Sequence, residues 1–115
     1  MAQEHVQVFA SGGKGLGQRV LTCRGALTME TLASLRLALQ AENSPALIIE
    51  LSGVSHMDSA GLGLLVHLHA SCQRTGRRLA LAGLNERIRK LLDVTGISQV
   101  LTLYTTRADA EQAFS

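Results

Sequence analysis

The sequence predicts a single α/β domain, residues 1–115, with one mixed, mostly parallel sheet flanked by helices. Short aliphatic runs alternate with longer segments in which apolar residues recur every three or four positions. One run, residues 46–51 (ALIIEL), is almost continuously apolar, as in a strand covered on both faces. At 115 residues, with 46% hydrophobic and 17% charged residues, the chain is long enough for one core but not for two.

The chain opens with a predicted hairpin around the glycine-rich turn at residues 12–17. This turn does not match a phosphate-binding loop, because Lys14 is followed by Gly15 and a strand rather than by Ser or Thr and a helix. The predicted strands cover residues 5–11, 19–24, 46–51, 79–82 and 100–104.

Segments of helical spacing separate the later strands and give the order β-β-α-β-α-β-α-β-α. Thr28, Ser59 and Asn85 stand at predicted N-caps, and Gly76 and Gly96 follow predicted helix ends. Right-handed crossovers between successive strands then predict the parallel part of the sheet. The predicted helices cover residues 28–43, 59–75, 85–95 and 106–114.

The net charge is +2, and six of the eleven basic residues fall between positions 74 and 90. Aromatic residues make up 3% of the chain, and the basic cluster contains no aromatic side chain that could stack on nucleic-acid bases. We therefore predict no direct nucleic-acid contact, and a solvated basic face that suits an acidic partner. The cluster consists of Arg74, Arg77, Arg78, Arg87, Arg89 and Lys90.

The remaining composition predicts a cytoplasmic protein without metal or cofactor. Cys23 and Cys72 are far apart in the sequence and lack the spacing of metal ligands. We therefore expect them to be buried free thiols in a reducing compartment. No apolar run approaches the roughly 18 residues of a membrane helix. His67 and His69 are two positions apart in a predicted helix, so they cannot chelate one metal as an i, i+4 pair would.

The most informative segment is residues 56–65, HMDSAGLGLL, where a strand gives way to a helix. Ser59 is favoured at an N-cap, but glycine within a helix costs about 1 kcal/mol relative to alanine. Gly61 and Gly63 therefore suggest a close approach by another group. A hydrolase nucleophile is excluded, because Met57 replaces the glycine that precedes such a serine by two positions. The residues alone leave two alternatives open, a cap only or an interface with a switch.

The helix that follows is apolar nearly all round at its start, which is more than one core-facing stripe requires. We therefore expect Leu64 and its neighbours to meet a partner rather than the core. The apolar residues concerned are Leu62, Leu64, Leu65, Val66 and Leu68.

The segment MDSAGLGLLV resembles the Asp-Ser-Ser/Thr-Gly-Leu signature of the STAS-domain anti-sigma factor antagonists. The preceding strand (residues 46–58) and the following strand and helix (residues 77–97) also resemble the family. The resemblance covers nearly the whole chain and implies a STAS fold and a regulatory protein that is not an enzyme.

In that family, the unphosphorylated protein binds an anti-sigma factor that is also a serine/threonine kinase, and so frees the sigma factor. The kinase then phosphorylates the serine after the aspartate, and a metal-dependent serine phosphatase reverses this. The resemblance implies that Ser59 is the phosphoacceptor, and it leaves the oligomeric state open between a monomer and a weak dimer. It also implies a partner-binding surface formed by Thr28, Asp58, Ala60, Gly61, Leu62, Gly63 and Leu64.

The chain departs from the family pattern in two places. Family members often carry Gly-Glu-Leu-Asp after the second strand, whereas residues 25–28 are GALT and lack both acids. Ala60 replaces the second hydroxyl of the signature. An alternative is therefore a small cytoplasmic STAS subunit of a lipid-transporting ABC system, which binds its ATPase stably; residues 64–68 resemble its helix. A small-ligand module using the 12–17 turn is a third possibility.

Overall fold

Within residues 5–114, which the computed structural model describes, five strands form one sheet in chain order. The first four residues and the last residue of the predicted domain lie outside the described residues. The strands are β1 (Gln7–Gly12), β2 (Gln18–Arg24), β3 (Ala46–Gly53), β4 (Arg78–Ala82) and β5 (Leu103–Tyr104). The helices are α1 (Ala33–Ala41), α2 (Ser59–Thr75), α3 (Glu86–Val94) and α4 (Arg107–Phe114).

The hairpin of β1 and β2 is antiparallel, and every later neighbouring pair is parallel. The predicted order and the mixed, mostly parallel sheet are thus confirmed. The 12–17 turn joins the hairpin strands as predicted, with the Gly13 N–H donating to the Gln18 carbonyl at 3.0 Å. Leu16 lies fully exposed in this turn.

Strand β3 is buried on both faces, as its apolar run predicts. Leu47, Ile49 and Leu51 belong to the larger core, which the helices α1, α2 and α3 cover. Ile48 points the other way into a thinner core of small residues, which includes Ala110 of α4. The larger core fixes α2 firmly against the sheet, through Leu65, Leu68 and Cys72.

The first helix begins at Ala33, so the prediction that Thr28 caps it is wrong. Leu27 forms a parallel bridge with Met57, which holds the chain in an extended conformation there. Residues 28–32 then form turns, in which the Thr31 hydroxyl accepts from the Thr28 N–H at 2.9 Å and donates to the Ala26 carbonyl at 2.6 Å. The threonine that organises this segment is Thr31.

The last strand is also shorter than predicted, because the N–H groups of Val100 and Leu101 donate to the Ile97 carbonyl and continue the 3-10 turn at Ile97–Gln99. The start of α3 and the end of α2 match the sequence. The Asn85 side chain accepts from the Ile88 N–H at 2.8 Å, and Gly76 closes α2 in the left-handed conformation with φ of 74°.

Both cysteines are buried free thiols, as predicted. Burial raises the pKa of the Cys23 thiol to about 12, with a smaller contribution from the Glu50 charge. In residues 5–114, none of the helices combines the length and apolar character needed to cross a membrane.

Candidate functional site

The site lies where β2 and β3 end and where α2 begins. Because β2 and β3 are parallel, their carboxyl ends meet at the same edge of the sheet. The β2–α1 turn (residues 25–32) and the N-terminus of α2 therefore become neighbours, although about thirty residues of sequence separate them.

Asp58 is the N-cap of α2, so the prediction that Ser59 caps this helix is wrong. One Asp58 carboxylate oxygen, Oδ1, accepts from the Ala60 N–H at 2.9 Å and from the Gly61 N–H at 3.1 Å. The backbone carbonyl of Asp58 accepts from the Leu62 N–H at 3.0 Å. Aspartate and serine are both good caps, and the extended backbone at position 58 decides between them.

Ser59 is the first residue of α2, and its side chain is exposed. Among residues 5–114, none forms a hydrogen bond with its hydroxyl. Because Asp58 caps the helix, the Ser59 hydroxyl is available to another molecule.

The other oxygen of Asp58, Oδ2, ties α2 to the β2–α1 turn by accepting from the Met29 N–H at 3.0 Å. This hydrogen bond is the main reason why the pKa of the Asp58 carboxyl lies below its usual range, and the bond from Gly61 is the second. Asp58 is therefore ionised at neutral pH, and each of its carboxylate oxygens is engaged with backbone amides.

Gly61 belongs to the packing between these segments. It is buried, and a Cβ on it would overlap the Leu27 carbonyl oxygen and lie 3.1 Å from the Leu27 Cβ. Leu27 is held in place by its N–H donating to the His56 carbonyl at 3.0 Å. The expectation that Gly61 leaves room for a partner is wrong, because the group that approaches it closely is Leu27 of the same chain.

Gly63 faces the other way. It is exposed, and a Cβ there would meet no atom of the described residues within 4 Å. It lies at the side of an open groove of about 580 Å³ between α1 and α2, whose rim also carries Arg36 and His67. This glycine is available for close approach from outside.

The other residues of the predicted partner-binding surface are neither fully buried nor fully exposed. Ala60, Leu62 and Leu64 are half-buried and pack against the larger core with part of their surface. The expectation that Leu64 and its neighbours meet a partner rather than the core is therefore wrong: Leu65 and Leu68 are buried in the larger core, and Leu64 packs against it with part of its surface. Thr28 is half-buried in the β2–α1 turn, where its hydroxyl lies 3.4 Å from that of Thr31 and where the next residue, Met29, bonds to Asp58.

Met29 is a surface residue that the sequence did not single out. The residue is 73% exposed although its side chain is large and apolar. The available signal was its position directly after the GALT segment, where the chain departs from the family pattern. The structure thus brings Thr28, Met29, Asp58 and Ser59 together, with Gly63 farther along α2.

The chain is similar to proteins of a known family. The STAS domain model matches residues 14–110. An anti-sigma-B factor antagonist of Staphylococcus epidermidis is 31% identical over 74 residues, which are 64% of this chain and 68% of the relative. An anti-sigma factor antagonist from Mycobacterium paratuberculosis has a solved structure with a TM-score of 0.85 at 25% identity, covering 97% of this chain and 96% of that one.

The fold also matches SpoIIAA, an anti-sigma factor antagonist from Bacillus solved in both its unphosphorylated and its phosphorylated form. The TM-scores are 0.69 and 0.68, at 18% and 17% identity. In both comparisons 94% of this chain is covered, with 95% and 98% of the SpoIIAA chains.

Proposed function

The chain belongs to the STAS-domain family, and from that premise we propose that it acts as an anti-sigma factor antagonist controlled by phosphorylation of Ser59. The family of these antagonists consists of binding and regulatory proteins rather than enzymes. In its unphosphorylated form, the protein binds an anti-sigma factor that is also a serine/threonine kinase and thereby releases the sigma factor.

The observation that carries the proposal is the division of roles between Asp58 and Ser59. The carboxylate of Asp58 caps the helix, so the exposed hydroxyl of Ser59 is not needed for folding. In the proposed step, Oγ of Ser59 forms a bond to the γ-phosphorus of ATP and the bond from that phosphorus to ADP breaks. The hydroxyl proton passes to a base of the kinase.

The same division explains why phosphate would prevent binding. A phosphate carries about −1.5 to −2 charges at neutral pH. Two backbone amides of the first turn of α2, those of Ala60 and Gly61, already donate to Asp58, which is itself ionised. Repulsion from this carboxylate favours an outward orientation of the phosphate, toward the surface on which the partner would dock.

A metal-dependent serine phosphatase would restore the binding form. We place the exchange in the cytoplasm, where reduced thiols such as the buried Cys23 and Cys72 persist.

The test is phosphorylation by a candidate kinase from the same genome, with ATP and intact-mass analysis. We expect one phosphate on the wild type and on Ser55→Ala, and none on Ser59→Ala. Ser55 is the matched control because it is also exposed and lies four positions earlier, outside the helix. A wild type that no such kinase modifies would contradict the proposal and favour a stable subunit of a transporter.

A further inference from the structure

The β2–α1 turn is unusually well fixed for an exposed segment. Thr31 connects its two sides through the Thr28 N–H and the Ala26 carbonyl, and the Thr31 N–H donates to the Thr28 carbonyl at 3.0 Å. The Asp58 N–H donates to the Leu27 carbonyl at 3.1 Å. The tip of the turn is held at Met29, whose N–H donates to Asp58.

This frame presents an apolar side chain beside the phosphorylation site. Met29 is 73% exposed, and its backbone is bonded to the residue that precedes Ser59. A single exposed apolar residue needs no explanation in general. An exposed methionine on a fixed turn is different, because little conformational freedom of the backbone remains to be lost when a partner covers it.

The charge of the turn also points to an apolar contact. The family pattern has acids at the positions of Ala26 and Thr28, and here Glu30 is the one charged residue between positions 25 and 32. A partner that docks on this turn therefore gains little from basic residues and more from an apolar pocket.

Resting on the proposed function, we infer that Met29 is the apolar anchor of the docking surface and that Asp58 is the residue that positions it. The partner is an anti-sigma factor with an apolar pocket for the Met29 side chain. Flexible, polarisable methionine suits such pockets.

The same contact gives phosphorylation a second effect. A phosphate on Ser59 and the ionised Asp58 carboxylate repel each other. The hydrogen bond from Met29 joins this carboxylate to a residue 29 positions away in the sequence, whereas its other bonds are to the first turn of α2. Phosphorylation weakens that tie, and the anchor loses its fixed position.

The first test measures binding of the kinase that labels Ser59 by calorimetry. Met29→Ala raises Kd by about tenfold or more, as is typical of an anchor residue. Leu16→Ala is the matched control, because Leu16 is fully exposed in the hairpin turn at the far end of the sheet. It leaves Kd within about twofold of the wild type, since it lies away from the proposed interface.

The second test separates positioning from direct contact. In Asp58→Asn, the amide oxygen still caps α2, but the amide nitrogen that replaces Oδ2 cannot accept from Met29. We expect weaker binding than in the wild type, and no further loss when Asp58→Asn is added to Met29→Ala. Hydrogen exchange of the Met29 amide becomes faster in Asp58→Asn and in the phosphorylated wild type.

Two results would overturn the inference while leaving the proposed function intact. One is a Met29→Ala variant that binds as tightly as the wild type. The other is a Met29 amide that exchanges equally fast in the phosphorylated and unphosphorylated forms. A wild type that binds no kinase and receives no phosphate would instead reject the proposed function itself.

Discussion

The buried and exposed sides of the first turns of α2 each carry a glycine, and the two glycines are there for different reasons. Gly61 packs against the backbone of Leu27, where a side chain does not fit. Gly63, two positions later, faces open space beside the groove between α1 and α2. The first joins the helix to the neighbouring turn, and the second leaves the outer surface open.

This difference separates stability from binding within a single helical turn. The buried side, with Gly61 and the Asp58 cap, holds the β2–α1 turn in place. The exposed side, with Ser59 and Gly63, is where we expect the partner. Substitutions on the exposed side should therefore change binding without lowering stability, whereas substitutions on the buried side should lower stability.

The largest effect is expected from making the same change at both glycines. Gly61→Ala destabilises the fold by about 1–3 kcal/mol, because the new Cβ forces Leu27 and α2 apart. Gly63→Ala stabilises it by about 1 kcal/mol, because alanine favours the helix and meets nothing. Urea unfolding at neutral pH measures both, and two variants of equal stability would contradict the distinction.

A larger side chain at the exposed position tests its role in binding. Gly63→Leu leaves the fold intact but raises the Kd of the partner by about tenfold or more, because leucine fills the space at the proposed interface. Ala70→Leu is the control, since Ala70 is exposed near the other end of the same helix. Equal binding by both variants would place the interface elsewhere.

The smallest effect concerns acid stability. Hydrogen bonds to the ionised carboxylate keep the pKa of Asp58 below its unfolded value of about 3.9, so its contribution is present above that pH. It is lost as pH falls through the lower, folded pKa. We expect the free energy of unfolding to fall more steeply below about pH 4 in the wild type than in Asp58→Asn. Urea titrations of both proteins at neutral pH and below pH 4 measure this. Equal losses of unfolding free energy in the two proteins would contradict it.

Much of the fold could be predicted from the sequence, because its signals are local. The apolar run of β3, the Asn85 cap and the glycine after α2 each act within a few residues of themselves. The start of α1 could not be predicted. The bridge between Leu27 and Met57 joins distant segments and overrides the helical spacing after Thr28.

At the site, the sequence identified the segment but not the roles within it. Asp58 and Ser59 are adjacent and both suit an N-cap, so spacing alone could not decide between them. The tie from Asp58 to Met29 and the contact of Gly61 with Leu27 depend on parallel strands placing two loops at one edge. Neither has a local signature in the sequence.

The central claim is that phosphate on Ser59 abolishes binding without unfolding the domain. Calorimetric titration of the kinase that labels this chain, against the unphosphorylated and the singly phosphorylated protein, tests it most directly. We expect tight binding by the first form and a Kd at least about tenfold higher for the second, with both forms still folded. Equal affinities for the two forms would contradict the account.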